Sequence, residues 1–288
     1  TVEYDKVLAI GYKGILGEVR AALAKVDPGD ADYASRHAFL KAVEMSCEAA
    51  ITYAHRYAAL ATEEALHCAD PVAREELETG KTRRAELEQI ARNCDNVPEN
   101  GATSFYEACQ SFWFIQMLLQ TESSGHSISP GRFDQYMYPF YEKAKEEDET
   151  AADELIASMM MKFFEHGIHN ITIGGVLPEN GEDASNDLSY ITLHILRNFH
   201  NSHPRMTLRI SDKTPDTLIA LAVELWSEGM SDPSVVSDTL VIDSFANKYK
   251  VPIEDARDYS CLGCQEIEIP GKSNFGCEDG ALSLIKIL

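Results

Sequence analysis

The stretch Asp258-Tyr-Ser-Cys-Leu-Gly-Cys-Gln-Glu266 places two cysteines, a glycine and a carboxylate at the end of a short apolar run. Cys264 and Glu266 are two positions apart, and side chains two positions apart on an extended strand lie on the same face. We therefore expect the thiol and the carboxylate to lie side by side and to face one cavity. A reactive thiol beside a carboxylate that can move a proton is suited to catalysis.

The same stretch is open to other interpretations. Cys261 and Cys264 have the CxxC spacing of a redox pair or of half a zinc site. A zinc site needs a second pair of ligands, which neither the lone Cys277 nor any His-x-x-x-His pattern supplies. A thioredoxin-like pair usually opens a helix, and no helix is indicated here. Buried cysteines that only pack are common, so spacing alone leaves packing, redox, metal binding and catalysis open.

Composition is that of an ordinary globular protein. The chain has 288 residues, which is enough for one large domain or two smaller ones. It is 44% hydrophobic and 25% charged, an ordinary mix for a globular protein. No apolar run reaches transmembrane length and no signal peptide is visible, so we expect a cytoplasmic protein without a membrane partner. Seven irregularly spaced cysteines fit a reducing compartment. The net charge of −22 argues against nucleic acid as a partner.

Helical patterns fill the first part of the chain, to about residue 168. A long alanine-rich pattern from Tyr33 to Cys68 predicts a helix suited to close packing. Ser104 and Glu107 have the spacing of a capping box that opens a further helix. A pair of helices is expected at about 134–147 and 151–166, separated by acidic residues.

Strands alternate with helices from about residue 169 to 288. Helices capped by Asp183 and Thr214 are expected between the strands. This alternation predicts parallel strands in an α/β sheet or barrel, and in such folds the chemistry lies at the C-terminal ends of the strands. Gly174, Gly175 and Cys264 fall at such ends, which favours catalysis over packing for the cysteine. The predicted strands cover 170–175, 205–210 and 235–242, with another at Cys261.

Several stretches occur in the order found in one known family, which the chain resembles over essentially its whole length: the glycyl radical enzymes, or pyruvate formate-lyase superfamily. Gln265 departs from the pattern, since valine is usual between the cysteine and the glutamate. The matching stretches are Ala54-His-Arg-Tyr-Ala58, Phe105-Tyr-Glu-Ala-Cys-Gln110, Ser129-Pro-Gly-Arg-Phe-Asp-Gln135, Gly181-Glu-Asp-Ala-Ser-Asn-Asp-Leu-Ser-Tyr190, Pro204-Arg-Met-Thr-Leu-Arg209 and Gly263-Cys-Gln-Glu266.

The resemblance implies an α/β fold: part of a barrel of ten strands in two antiparallel halves, with a largely helical N-terminal half, all within a single domain. It implies that Cys264 forms a thiyl radical that abstracts hydrogen from substrate. Glu266 would be the acid/base of the dehydratase and C–N lyase branches. Formate-lyase proper has two adjacent cysteines and no such glutamate, so its acetyl transfer fits this sequence less well.

The resemblance also implies substrate-binding residues. The stretches Ser260-Cys-Leu-Gly-Cys-Gln-Glu266 and Ile269-Pro-Gly-Lys272 look closer to the trans-4-hydroxy-L-proline dehydratases. Glu122 stands near the place where an acidic residue of that branch helps to hold the substrate amine. His126 and Ser127 match a His-Ser pair that contacts substrate hydroxyls in the glycerol and diol dehydratases, and Thr172 is expected to line the cavity. Leu177-Pro178 stand where the hydroxyproline branch would have an aspartate and an aromatic residue, which argues against a proline substrate.

Arg132 and Asp134 are expected to form a structural salt bridge and a helix cap, and Cys261 and Cys277 to pack. The Arg-Val-x-Gly-Tyr type motif that carries the glycyl radical is absent, and both ends of the chain lie inside helical or apolar patterns. We therefore expect an interior fragment, inactive alone, that lacks the C-terminal glycyl radical domain. By the resemblance, the full-length protein would be a homodimer that acts on a small molecule, with its glycyl radical installed by a radical-SAM activase.

Two alternatives stay open at this stage. Within the family, the protein could be a formate C-acetyltransferase-like or choline trimethylamine-lyase-like member. Outside catalysis, it could be an inactive scaffold that kept the fold.

Overall fold

The computed structural model describes residues 2–68, 76–123, 128–200 and 204–273. The chain divides into two compact units, one spanning Tyr4–Thr121 and the other Glu122–Leu288 together with Thr1–Glu3. Within the described ranges, no helix has both the length and the apolar character needed to cross a membrane. The assignment of the whole chain to a single domain stays a prediction.

The first unit is helical. It contains α1 (Tyr4–Leu23), α2 (Tyr33–His67), α3 (Glu76–Asn96) and α4 (Phe105–Ser123), whose last residues pass into the second unit. The buried positions of α2 recur every three or four residues, which is the spacing of one helix face. They are almost all alanines, so α3 can approach closely. The buried residues of α2 are Cys47, Ala50, Ala54, Ala58, Ala61 and Ala65.

Ser104 caps α4 as predicted, because its Oγ accepts the backbone N–H of Glu107 at 3.2 Å. The carboxylate of Glu107 bonds to the backbone N–H of Thr103 at 2.7 Å. Two helices follow, α5 (Phe133–Tyr136) and α6 (Tyr138–Glu165). The predicted break near 148–150 is a kink inside α6, where Asp148 leaves helical geometry (φ −157°, ψ 96°).

The second unit contains a four-stranded parallel sheet in the order β1-β2-β3-β4, as the alternation of strands and helices predicts. Its strands are β1 (Gly131–Arg132), β2 (Ile171–Gly174), β3 (Met206–Ile210) and β4 (Ser234–Ser237). Helix α7 (Asp187–Phe199) joins β2 to β3, and α8 (Asp216–Ser227) joins β3 to β4. A ten-stranded barrel is not seen in the part of the chain that the structure describes.

The two faces of the sheet differ in chemistry. Ile171 and Ile173 alternate with Thr172 along β2, and Thr172 pairs in register with Thr207 of β3. Successive residues of a strand point to opposite faces, so one face is aliphatic and the other carries hydroxyls and the Arg209 guanidinium. All these side chains are buried, as is usual in a parallel sheet covered on both faces.

Two sequence expectations about this unit were wrong. Asn186, not Asp183, caps α7: its Oδ1 accepts the N–H of Leu188 at 3.0 Å. Pro215 holds the N-cap position of α8, and Thr214 instead accepts the N–H of Ser211. A strand does lie in the run 235–242, but β4 ends at Ser237 and a helix begins at once. The remaining elements are α9 (Asp238–Asp243), a π-helical turn (Ser244–Lys248), α10 (Ile253–Arg257), β5 (Ser260–Leu262) and β6 (Glu266–Glu268).

Candidate active site

Cys264 lies at the tip of a β-hairpin. Strands β5 and β6 pair antiparallel, with Leu262 opposite Glu266, so residues 263–265 form the turn. Gly263 (φ 51°) and Gln265 (φ 129°) both have positive φ, a region that glycine enters without strain. The Cys264 side chain is exposed at this turn.

The expectation that Cys264 and Glu266 share one face of an extended strand was therefore wrong. The chain reverses between them, because the positive φ angles on either side of Cys264 break the extended geometry. The two residues stay close in sequence, one in the turn and one at the first position of β6. The Glu266 carboxylate folds back and accepts the backbone N–H of Gln265 at 3.2 Å. The thiol and the carboxylate are thus both presented by one hairpin end.

The edge of β5 that does not pair with β6 is held by side chains of the parallel sheet and of residues beside it. Strand β5 pairs with β6 along one of its edges. The backbone N–H groups of Cys261 and Gly263 bond on the other side, to the side chains of Thr172 and Ser129. The Thr172 hydroxyl accepts the N–H of Cys261 at 2.9 Å and donates to its carbonyl at 3.3 Å. Thr172 is fully buried. The polar face of the sheet is therefore where the hairpin docks.

The Gly263 peptide groups, next to Cys264, are held in the same way. The Gly263 N–H donates to Ser129 Oγ at 2.9 Å. Asn170 Nδ2 donates to the Gly263 carbonyl at 3.3 Å. The Asn170 side chain is itself fixed by the Thr207 hydroxyl, which donates to Asn170 Oδ1 at 2.6 Å.

A buried charged cluster supports the base of the hairpin. Arg209 donates from Nε and Nη2 to the carboxylate of Asp238 at 2.8 and 2.9 Å. Its Nη1 also donates to the backbone carbonyl of Tyr259 at 2.6 Å. The Arg209 guanidinium carbon lies 3.8 Å from the centre of the Tyr259 ring. The Tyr259 hydroxyl donates to Asp238 at 2.6 Å. Burial alone would lower the pKa of Arg209, but the Asp238 carboxylate holds it above its ordinary value.

Gly175 closes over this charged pair. A Cβ at Gly175 would lie 2.6 Å from Arg209 Nε and 2.9 Å from Asp238 Oδ2, and the residue has φ 83°. No other residue type fits there without displacing one of the two charged groups. This accounts for the second glycine at the end of β2.

Arg132 and Asp134 do not pair with each other, contrary to expectation. Arg132 donates to Asp258 at 2.8 Å and to the carbonyl of Val176 at 2.9 Å. Burial lowers the pKa of Arg132, as does the nearby charge of Arg209. Asp134 accepts the N–H of Gly174 at 2.7 Å, and burial raises its pKa. Both residues make buried contacts, but with partners other than those expected.

Two of the predicted site residues, Cys264 and Glu266, lie at the same hairpin end. Thr172 bonds to the peptide groups of Cys261 in the same hairpin. Glu122 is exposed near the end of α4. His126 and Ser127 lie outside the described residues, as does Cys277. Cys261 is fully buried, as expected of a packing residue, and burial raises its pKa to about 11. No group of three or more His, Cys, Asp or Glu side chains suited to a metal ion occurs in the described ranges.

Sequence reasoning did not single out Ser129, Asn170 and Asp238. Ser129 opens one of the family-like stretches, and Asn170 is the first residue of a predicted strand. Asp238 lies inside the run 235–242, where an acidic residue indicates either a strand end or a buried ion pair. A polar residue beside each strand of a buried sheet was therefore the available signal.

Comparisons with known proteins identify the family. The Pyruvate formate lyase-like family model matches residues 1–288. The isethionate sulfite-lyase of Oleidesulfovibrio alaskensis is 34% identical over 95% of this chain and 34% of its own length. The glycerol-bound B12-independent glycerol dehydratase of Clostridium butyricum is 39% identical, with a TM-score of 0.85 over 94% of this chain and 35% of that one.

A second similar structure is hydroxyproline dehydratase from Clostridioides difficile with trans-4-hydroxy-L-proline bound. It is 27% identical, with a TM-score of 0.81 over 93% of this chain and 35% of that one. The chain thus spans about a third of the length of the relatives it matches. The chain belongs to the pyruvate formate lyase-like family of glycyl radical enzymes.

Proposed function

We propose that this chain is part of a glycyl radical lyase that removes water from a small hydroxylated substrate. The observation that carries the proposal is the exposed Cys264 at the tip of a hairpin whose backbone is fixed by buried side chains of the sheet and its flanks. Glu266 on the same hairpin end supplies a carboxylate. The proposal includes a longer protein with the ten-stranded barrel, the glycyl radical residue, a homodimer and a radical-SAM activating partner.

Cys264 fits the role of the residue that exchanges a hydrogen atom with the radical store. Its thiol is exposed, so another residue can reach it, whereas the Cys261 thiol is fully buried. When present, the glycyl radical would remove the hydrogen atom from the Cys264 S–H bond. An S–H bond and an activated C–H bond have comparable strengths, so the transfer is reversible.

The residues of this chain then have distinct tasks. Cys264 takes a hydrogen atom from the carbon that bears one hydroxyl group. Glu266 accepts the proton of that hydroxyl and returns a proton to the neighbouring hydroxyl, which leaves as water. The carbon that lost the hydroxyl finally takes a hydrogen atom back from Cys264. Enclosure by the rest of the barrel would keep water away from the radical.

A small diol is the substrate class with the most support. Identity to the glycerol dehydratase is 39%, against 27% for the hydroxyproline dehydratase. Leu177-Pro178 also depart from the hydroxyproline pattern. Of the binding residues that the resemblance implies, Glu122 is exposed, and His126 and Ser127 lie outside the described residues. The Thr172 hydroxyl is bonded to the peptide groups of Cys261, so Thr172 is not assigned to substrate.

A second candidate is elimination of sulfite from a hydroxyalkane sulfonate, because an isethionate sulfite-lyase is 34% identical over 95% of the chain. It requires the same thiyl residue and differs only in the leaving group. An anaerobic screen of the activated, full-length protein separates the two candidates. Glycerol, propane-1,2-diol, trans-4-hydroxy-L-proline and isethionate should each be supplied, and products should be measured by mass spectrometry.

We expect aldehyde from a diol, and expect Cys264→Ser to abolish it while the glycyl radical signal persists in electron paramagnetic resonance. Turnover that survives Cys264→Ser would refute the thiyl role. Glu266→Gln should slow dehydration far more than it slows hydrogen exchange into substrate. An equal loss of both rates would mean that Glu266 orients the substrate and does not move protons. Formation of sulfite from isethionate, with no aldehyde from any diol, would favour the second candidate.

A further inference from the structure

The peptide groups of Gly263 are bonded on both sides by buried side chains from outside the hairpin. Ser129 Oγ accepts the N–H at 2.9 Å, and Asn170 Nδ2 donates to the carbonyl at 3.3 Å. The side chains of both residues are at least 98% buried. We propose that Ser129 and Asn170 are positioning residues that fix the Cys264 sulfur at the place where hydrogen atoms are exchanged. This inference rests on the proposed function.

We call Ser129 and Asn170 the clamp. The hairpin tip needs it because few hydrogen bonds within the hairpin hold the tip in place. One backbone bond closes the turn, from Gln265 N–H to the Leu262 carbonyl at 3.0 Å. Gly263 has no side chain to pack, and both flanking residues of Cys264 have positive φ. A two-stranded hairpin is marginally stable on its own. Bonds to a rigid sheet and its flanking residues therefore decide where the cysteine lies.

The Asn170 amide is oriented unambiguously. The Thr207 hydroxyl donates to Asn170 Oδ1 at 2.6 Å, which leaves Nδ2 to face the Gly263 carbonyl. A carbonyl can only accept, so the opposite orientation of the amide would place two acceptors together. Asn170 also has φ 66°, a conformation that asparagine tolerates better than most residues.

The clamp holds a residue closer to Cys264 along the chain than the other contacts to the hairpin do. Thr172 holds Cys261, and Arg209 holds Tyr259, three and five residues before Cys264. Ser129 and Asn170 hold the residue next to it. A hydrogen atom passes only between centres nearly in contact, and a misplacement of about 1 Å can cost about 100-fold in rate. Loss of the clamp should therefore affect hydrogen transfer more than folding.

Two variants of the full-length protein test the proposal. Ser129→Ala removes the acceptor for the Gly263 N–H. Asn170→Asp keeps the acceptor for Thr207 but removes the donor to the Gly263 carbonyl, with the same shape and a similar tolerance of positive φ. Ser111→Ala is the matched control, because its hydroxyl is fully buried and has no hydrogen-bond partner among the described residues.

The first readout uses the protein before activation. Hydrogen–deuterium exchange of the peptide that contains Gly263 should be at least tenfold faster in Ser129→Ala and unchanged in Ser111→Ala. The second readout uses the activated protein in deuterated water. The thiol hydrogen exchanges with solvent, so each return of hydrogen from Cys264 can place deuterium on the glycyl carbon. This appears as collapse of the glycyl hyperfine doublet in electron paramagnetic resonance.

We expect the collapse to be about 10- to 100-fold slower in both clamp variants, with a radical yield close to that of the control. The melting temperature should fall modestly in both variants, because each leaves a buried peptide group of Gly263 without its partner. Doublet collapse at the wild-type rate in both variants would overturn the proposal. A lowered melting temperature with an unchanged rate would show a merely structural role and would overturn it too.

Failure of the proposed function has a different signature. If the wild-type protein dehydrates no diol, the doublet still reports transfer between glycine and Cys264, so the clamp stays testable. If Cys264→Ser leaves the collapse intact, hydrogen does not pass through Cys264. The thiyl role then fails, and the positioning role fails with it.

Discussion

Arg209 and Asp238 form a bidentate ion pair in which both side chains are at most 1% exposed. The pair joins β3 to the first residue of α9, and through the Tyr259 and Arg257 carbonyls it also joins the hairpin base to the sheet. Removing two charges from water is unfavourable unless their remaining hydrogen bonds are satisfied. Four hydrogen bonds from Arg209 meet that condition.

Asp238→Asn should destabilise the protein strongly. It leaves the Arg209 charge buried without a counter-charge, and breaking a buried pair in this way costs about 3–5 kcal/mol in free energy of unfolding. Urea denaturation followed by circular dichroism measures the loss. Glu182→Gln is the control, because it breaks an exposed pair with Lys213 and should leave the urea midpoint unchanged. A midpoint as high in Asp238→Asn as in the control would contradict the assignment.

Thr172→Val should lower stability without raising KM. The substitution keeps the shape but leaves the Cys261 N–H and carbonyl without their hydroxyl partner, at about 1–3 kcal/mol for each group. Thr192→Val is a matched control, because that buried hydroxyl only donates to carbonyls of its own helix. A raised KM with unchanged stability would instead show that the Thr172 hydroxyl contacts substrate.

Alkylation should separate the two cysteines of the CxxC spacing. Cys264 is exposed, whereas burial raises the pKa of Cys261 to about 11. A raised thiol pKa means less thiolate at a given pH, so at pH 8 only about one Cys261 in a thousand is ionised. Mass spectrometry after brief iodoacetamide treatment should find Cys264 labelled and Cys261 unlabelled until urea is added. Equal labelling of both in the native protein would contradict the hairpin geometry.

Asn186→Ala should lower the free energy of unfolding by about 1 kcal/mol, because Asn186 caps α7. Its Nδ2 also donates to the Asp134 carbonyl at 2.8 Å. Asp183→Ala is the comparison, because the Asp183 side chain accepts from Ser185 within the preceding loop. Thermal melts of the two variants should therefore differ. A larger loss for Asp183→Ala would restore the cap predicted from the sequence.

Periodic patterns predicted the elements that make repeated local contacts. The alanine spacing from Tyr33 onward predicted α2 to within a residue, because helical burial follows one residue spacing. Strands β2 and β3 and their parallel order followed in the same way from aliphatic runs between helices. Family-like motifs identified Cys264 and Glu266 as the candidate pair.

The turn at Cys264 could not be predicted from the same patterns. The composition of a short run such as Ser260–Glu266 fits a single strand and a hairpin equally well. The positive φ angles at Gly263 and Gln265 are what make it a hairpin. Partners distant in sequence were equally hidden: Arg132 and Asp258 are 126 positions apart, and Ser129 and Gly263 are 134 apart. Asp134 was the nearer candidate for Arg132, but the N–H of Gly174 already occupies it.

Ser129, Asn170 and Thr172 bind the hairpin through its peptide groups, and every amino acid except proline presents the same peptide groups. The side chains at the tip can therefore be exchanged without moving the sulfur, as long as the residue at Gly263 can adopt its backbone angles. One framework can in this way present different neighbours to the same cysteine. The residues that surround Cys264 can therefore change in evolution while the side chains that hold its backbone stay the same.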